Sequence, residues 1–235
     1  MSGTHDGRRR GILAIDTATS RVVIATGSPD GVADGLSWWA AGHRHGETLL
    51  PSIGRFLGEQ NLRRSRLVGI VVGTGPGTFT GLRVGMATAK GMAHGLGIPL
   101  VGVSTAQALL GAAVAAGVER PVLLVPAGAA DRVLIRPGLM PELLPGGTDP
   151  ELDGDERLIA VDLEGRAPAD ALERGAAVHD GLGGAILALG AERLRALAIA
   201  DVVTGELATL VPEYVTLPRG TTATDGVVAW SRDPR

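Results

Sequence analysis

The chain of 235 residues contains no cysteine, which removes disulfides, thiolate chemistry and every Cys-ligated metal site. Aromatic residues are nearly as scarce: two Phe, three Trp and one Tyr leave the core to Ala, Val, Leu and Ile. Positive charge is not in excess, since the formal net charge is −3 and Lys90 is the single lysine. A broad phosphate-binding footprint needs clustered Lys and Arg, so extensive nucleic-acid contact is disfavoured. No uncharged apolar window reaches the roughly 18 to 20 residues that span a bilayer, and the Ala-rich stretch from Thr105 to Val118 falls short. Arg8, Arg9 and Arg10 are followed by an apolar run that Asp16 interrupts, too soon for a signal peptide. These absences predict a cytoplasmic protein without a membrane partner.

What is abundant is glycine, 36 residues, with 14 prolines, in a chain that is 45% hydrophobic. Such a length supports a buried core in one domain or two small lobes, with many tight turns. Gly11–Asp16 and Arg21–Thr26 read as strands of a hairpin, and Val32–Trp39 as a third strand after the turn at Gly27–Gly31. From Gly46 to Leu57 the apolar residues recur at helical spacing, with Pro51 limiting the first turns. Leu67–Val72 is a buried strand that runs into a glycine-rich turn and a helix over Thr80–Leu96. Gly97-Ile98-Pro99 ends that helix, Leu100–Val103 returns as a strand, and Ser104 is the N-cap of an Ala-rich helix. Strands are expected at Pro121–Val125, Arg132–Arg136 and Leu158–Val161, a loop over Pro137–Glu156, and one helix over Asp180–Ala200 with Gly190 as its weak point. The polar end from Pro218 to Arg235 reads as frayed.

The most informative stretch is Gly73 to Gly85, with glycines at 73, 75, 77, 81 and 85 between a strand and a helix. That is a setting in which backbone amides cradle phosphate. It is not a Walker A loop, because no Gly-Lys-Ser/Thr follows. It is not a dinucleotide loop either, because the region His94–Val101 lacks the acid expected about 20 residues on. The plainer reading is packing: Gly81 and Gly85, four apart with Ala89 beyond, let the helix lie close to a neighbouring element and also predict an interface.

The eleven residues Gly75-Pro76-Gly77-Thr78-Phe79-Thr80-Gly81-Leu82-Arg83-Val84-Gly85 resemble the hallmark of the TsaB family, whose usual form has Ser at position 78. Ile15-Asp16-Thr17-Ala18-Thr19, His45-Gly46-Glu47-Thr48-Leu49-Leu50-Pro51, and Pro99–Ala108 with its Val103-Ser104-Thr105 are similar to the same family in the same order. Beyond Leu110 the likeness thins to Pro212-Glu213-Tyr214-Val215, similar to a C-terminal Pro-x-Tyr element. The chain departs from the family's Asp-Ala-Arg and following Tyr, having Pro126-Ala127-Gly128-Ala129 and Leu134 there.

The resemblance implies an α/β fold of the two-lobed, actin-like ATPase type (ASKHA, ribonuclease H-like), with mixed sheets flanked by helices. On that plan residues 1–10 are a flexible tail, 11–104 and 105–217 the two lobes, and 218–235 a second tail. It also implies work beside TsaD, the transferase that modifies the adenosine next to the anticodon, together with the ATPase TsaE. Homodimerisation through the same patch would compete with that pairing, and tRNA would be met only through the complex. The expected partner face comprises His45, Glu47, Leu49, Leu50, Ile53 and Phe56 of one helix and Thr80, Gly81, Val84, Gly85, Thr88, Ala89 and Met92 of the other.

Catalytic groups are not expected. Actin-like ATPases place an acid at each of two phosphate loops; here Asp16-Thr17 is the one remnant, and Ala127 stands where the second acid belongs. Asp16 and Thr17 are thus either turn and cap residues or a degenerate nucleotide site. ATP or ADP with magnesium is expected only at the partner interface, and no cofactor in the isolated chain. His43, His45 and Glu47 read as a solvated helix start and not as metal ligands; His94 and His179 stand alone, and the His-x-x-x-His pair belongs to TsaD. No serine sits in a Gly-x-Ser-x-Gly elbow. Arg63, Arg64 and Arg66 form a basic turn, solvated by default and a contact to tRNA as the alternative. The rival function is a small actin-like ATPase or sugar kinase acting alone through Asp16 and the Gly75–Thr80 turn; a peptidase-like activity is more remote.

Overall fold

The computed structural model describes residues 9–41, 45–199, 207–214, 221–224 and 227–230, with backbone alone for 45–47 and for the last two segments. Its first sheet begins with a meander: β1 (Gly11–Asp16), β2 (Arg21–Gly27) and β3 (Ala33–Ala40) pair antiparallel in sequence. The helix α1 (His45–Glu59) then leads to β4 (Leu67–Gly73), parallel to β1, and α2 (Phe79–Leu96) leads to β5 (Leu100–Val103), parallel to β4. The sheet order is β3-β2-β1-β4-β5. The inner strands are apolar on both faces because helices cover both. Leu13, Ile15, Ile24, Ile70 and Val72 pack with Leu49, Ile53 and Phe56 of α1 and Met86 and Ala89 of α2. The alternate residues Ile12, Ala14, Ala25 and Val71 point the other way.

That other face meets α5 (Leu182–Ile199), and α3 (Thr105–Ala115), capped by Ser104 accepting from the Gln107 amide, as expected, lies between α5 and the second sheet. A second sheet follows, β6 (Pro121–Ala127), β7 (Asp131–Ile135), β8 (Glu142–Leu144) and β9 (Arg157–Ala160), ordered β8-β7-β6-β9. One of its faces, with Val122, Leu124, Leu134 and Leu158, packs on Leu163 and on α4 (Ala169–Asp180) through Ala171. Its opposite face contributes Leu123, Val125, Val133 and Ile159 to the cluster that holds Ile12 and Val71. The core between the sheets is filled by α3 and by Ile186, Leu187 and Ala191 of α5 (Leu182–Ile199). Gly190, the expected weak point, is where α5 crosses β4: a Cβ there would lie 2.3 Å from Val71 Cγ2.

Three expectations change. The helix expected over Asp180–Ala200 is α5, Leu182–Ile199, but the stretch before it, expected to hold no element, forms α4, which ends at Asp180. The α4 segment carries Ala, Gly and charges in place of large periodic apolar residues, so its helical pattern is faint. The loop expected over Pro137–Glu156 contains β8, held by pairing to β7. In the terminal stretch read as frayed, β10 (Thr221–Thr224) pairs antiparallel with β11 (Val227–Trp230); the rest of it, like residues 1–8, lies outside the described residues. Among the described residues no helix is long and apolar enough to cross a membrane.

Candidate functional site

The glycine-rich turn is a mould for the β1–β2 turn. Past Gly73 the chain turns through Thr74–Thr78 into α2, whose N-cap Thr78 accepts from the Gly81 amide at 3.3 Å. The Thr78 amide itself donates to the Ala18 carbonyl at 2.8 Å. Four of the glycines leave no room for a side chain. A Cβ at Gly73 would fall 1.8 Å from Asp16 Oδ2, one at Gly77 2.2 Å from the Ala18 carbonyl oxygen, and one at Gly81 2.1 Å from that of Thr17. At Gly85 it would fall 2.1 Å from Thr17 Oγ1, which donates to the Gly81 carbonyl at 2.7 Å. The packing reading of Gly81 and Gly85 therefore holds, and the element they admit belongs to this chain.

Gly75 joins the turn to α3. At φ +109° it has a backbone suited to glycine. Its carbonyl accepts from the Thr105 amide at 2.7 Å and the Ser104 hydroxyl at 3.2 Å, and its amide donates to Thr105 Oγ1 at 3.2 Å. The Thr105 hydroxyl donates in turn to Asp16 Oδ2 at 2.6 Å, while the Ala18 amide donates to Asp16 Oδ1 at 2.9 Å. Asp16 is 1% exposed, and burial pushes its carboxyl up to about 6 against the opposing pull of these hydrogen bonds. Each of its oxygens thus has an internal donor.

The Pro212-Glu213-Tyr214 element docks on the same turn. The Glu213 amide donates to the Thr74 carbonyl at 2.7 Å and the Thr74 hydroxyl donates to the Glu213 carboxylate. Tyr214 packs on Phe79 with centroids 5.3 Å apart, and the Arg83 guanidinium lies 3.9 Å over the Phe79 ring. Between the sheets is a cleft of about 260 Å³, bounded by Ala18, Thr19 and Pro76–Phe79 on one side and by Val125–Gly128, Val161 and Asp162 on the other. Among the described residues its lining holds neither Lys nor Arg, and the one carboxylate there, Asp162, is bonded to Ser20. Asp16 lies beneath the cleft wall and is not part of its lining. Among the described residues no three His, Asp or Glu are grouped to hold a metal ion.

The expected partner face divides. Leu49, Ile53, Phe56 and Ala89 are 0–3% exposed in the core under the first sheet, and Gly81 and Gly85 are buried against the β1–β2 turn. These six cannot meet a partner, because the heptad-like spacing that marks an apolar helix face marks the face turned to the chain's own sheet. Thr80 is exposed, Leu50 is 50% exposed, and Val84, Thr88 and Met92 are half-buried. The side chains of His45 and Glu47, and all of His43, lie outside the described residues. Arg64 and Arg66 form a short 3-10 turn after Arg63, at the surface.

The model of the family described as "TsaD: tRNA N6-adenosine threonylcarbamoyltransferase" matches residues 35–160, more than half of the chain. The protein of Escherichia coli named tRNA threonylcarbamoyladenosine biosynthesis protein TsaB is 35% identical over 94 residues, 40% of each chain. The chain belongs to this TsaD-type family, on its TsaB/YeaZ branch. The TsaB protein of Bacillus subtilis is 34% identical over 99 residues, and an uncharacterised protein of Mycobacterium leprae 43% identical over 103. The chain spans 42% of the former and 28% of the latter. YeaZ from Pseudomonas aeruginosa superimposes with a TM-score of 0.61 at 21% identity, over 88% of this chain and all of that one. The fold is accordingly the ASKHA-like α/β fold, mixed sheets flanked by helices.

Four residues of the network were given no role of their own from the sequence. Thr105 and Glu213 lie inside stretches that resemble TsaB, so their positions carried a signal. Asp162 and His179 carried none: an acid after a strand and a histidine at a helix end are common, and their partners lie 142 and 160 residues away.

Proposed function

We propose that this TsaB-type chain is a non-catalytic subunit in tRNA threonylcarbamoyladenosine biosynthesis, pairing with a TsaD-type transferase and acting with a TsaE-type ATPase. The observation that carries the reading is the engagement of Asp16 and the glycine turn inside the fold. Groups that an actin-like ATPase aims at phosphate and magnesium are here committed to hydrogen bonds and close packing between β1, α2 and α3. The TsaB names of relatives in Escherichia coli and Bacillus subtilis support the same process. Nucleotide with magnesium then belongs to the interface with the transferase, and tRNA is met through the assembled complex in the cytoplasm. The partner face is the outward ridge of α1 and α2 that includes Leu50, Thr80, Val84, Thr88 and Met92. A second copy can take the same ridge, so homodimer and heterodimer compete.

The deciding experiment reconstitutes the modification with TsaD- and TsaE-type proteins from the same source, with and without this chain. Loss of the modified base without it is the expected result; unchanged modification overturns the reading, as does turnover of ATP by the isolated chain. Thr88→Arg and Met92→Arg probe the ridge by sedimentation with the transferase, and pairing should be lost while circular dichroism is unchanged. Gly85→Arg is unsuitable for that purpose, because the site is filled by Thr17.

A further inference from the structure

The β1–β2 turn is clamped from two sides. On one side Thr17 and Ala18 sit in the mould of α2, as described. On the other, the turn and the first residue of β2 reach across to the elements that follow the second sheet. Thr19 Oγ1 and His179 Nε2 are 2.9 Å apart at the end of α4. Since the Thr19 hydroxyl donates to the Arg21 carbonyl at 3.0 Å, it accepts from the imidazole N–H. The Ser20 amide donates to Asp162 Oδ2 at 2.6 Å, and the Ser20 hydroxyl donates to the other oxygen of the same carboxylate. Arg21 Nη1 donates to Asp180 Oδ1 at 2.7 Å, and its guanidinium lies 4.2 Å over the ring of Trp38.

These contacts differ in kind from the rest of the junction. Apart from the bonds of Asp16 and Gly75 to the start of α3, the contact between the two sheets is the aliphatic core of α3 and α5, which attracts without fixing an angle. Hydrogen bonds are directional, and separating a buried pair leaves donor and acceptor unsatisfied. His179 is 6% exposed and Thr19 5%, so parting them strands both. Asp162 stands at φ +59°, a left-handed backbone that aims its carboxylate at Ser20. Thr19 and Asp162 both line the cleft, so the clamp forms part of its wall.

We propose that the β1–β2 turn is a latch that sets the angle between the two sheets and holds the cleft at a single width, so that the chain behaves as one rigid body until the latch is released. Release also frees the carboxylate of Asp162, the one acid in the cleft lining among the described residues. The inference does not rest on the subunit reading and is tested on the isolated chain.

The absence of native cysteine makes the test direct. Spin labels at Thr80→Cys and Ala129→Cys, both at exposed positions flanking the cleft, report its width by pulsed dipolar spectroscopy. In the otherwise unchanged chain a single narrow distance distribution is expected. Asp162→Gly with Arg21→Ala removes three of the four bonds, and glycine accepts the positive φ without strain. The peak should move outward and the distribution broaden, with circular dichroism unchanged. His179→Ala should do the same; if that buried substitution unfolds the chain, the first variant decides. A folded Asp162→Gly, Arg21→Ala chain with the original narrow distance overturns the latch.

Discussion

Replacing Gly85 by alanine places a methyl carbon 2.1 Å from Thr17 Oγ1 and 3.3 Å from Thr17 Cγ2. Thr17 is 1% exposed and its hydroxyl is bonded to the Gly81 carbonyl, so it has nowhere to swing. Forcing a methyl against a fixed neighbour costs about 1–3 kcal/mol. Losing the buried Thr17–Gly81 hydrogen bond adds about 1 kcal/mol, and alanine in a helix returns about 1 kcal/mol. Gly85→Ala should therefore destabilise by about 2 kcal/mol, which in a chain of this size lowers Tm by roughly 4–8 °C. Thr17→Ala alone should cost about 1 kcal/mol, the hydrogen bond. In the double variant the colliding atoms are gone and the helix gain remains, so the net change should be within about 1 kcal/mol of zero and the coupling about 2 kcal/mol or more. Urea unfolding followed by circular dichroism measures all three. Additive single effects would refute the claim that Gly85 exists to admit Thr17.

Two further expectations follow from the same network. Asp16 holds a proton up to about pH 6 in the fold, against an ordinary 3.8. Between those values the folded state binds more protons than the unfolded one, so this group's contribution to stability is full at low pH and falls as pH rises through 6. The drop is about 3 kcal/mol at 1.36 kcal/mol per unit. Asp16→Asn should erase that slope; a wild-type-minus-variant difference that is flat from pH 4 to 8 in denaturant titrations contradicts the assignment. Ser104→Ala removes the N-cap of α3 and a donor to Gly75, and should cost about 1 kcal/mol in the same assay, with Ser104→Thr restoring it; equal stability of both variants would speak against the cap.

Local chemistry alone was enough to read several elements. Gly11–Asp16 and Leu67–Gly73 are apolar runs of strand length, Ser104 precedes an Ala-rich helix, and Gly97 in the left-handed conformation ends α2. Each is settled by residues within a few positions of one another. The eleven-residue motif likewise marked the family and the strand-turn-helix that carries it. What it could not reveal is which surface the small residues serve. Leu49, Ile53 and Phe56 look the same in a sequence whether they face a partner or the chain's own sheet, and only the packing of α1 on β1 and β4 made them core. Asp162 and His179 acquire a role only when sheet order brings residues 142 and 160 positions apart within hydrogen-bond reach. The sequence by itself determined the strands, the caps and the glycine pattern, because these rest on backbone geometry and near neighbours. The tertiary structure decided what the glycines admit and how the two sheets are fastened, because those contacts exist only once the chain has closed on itself.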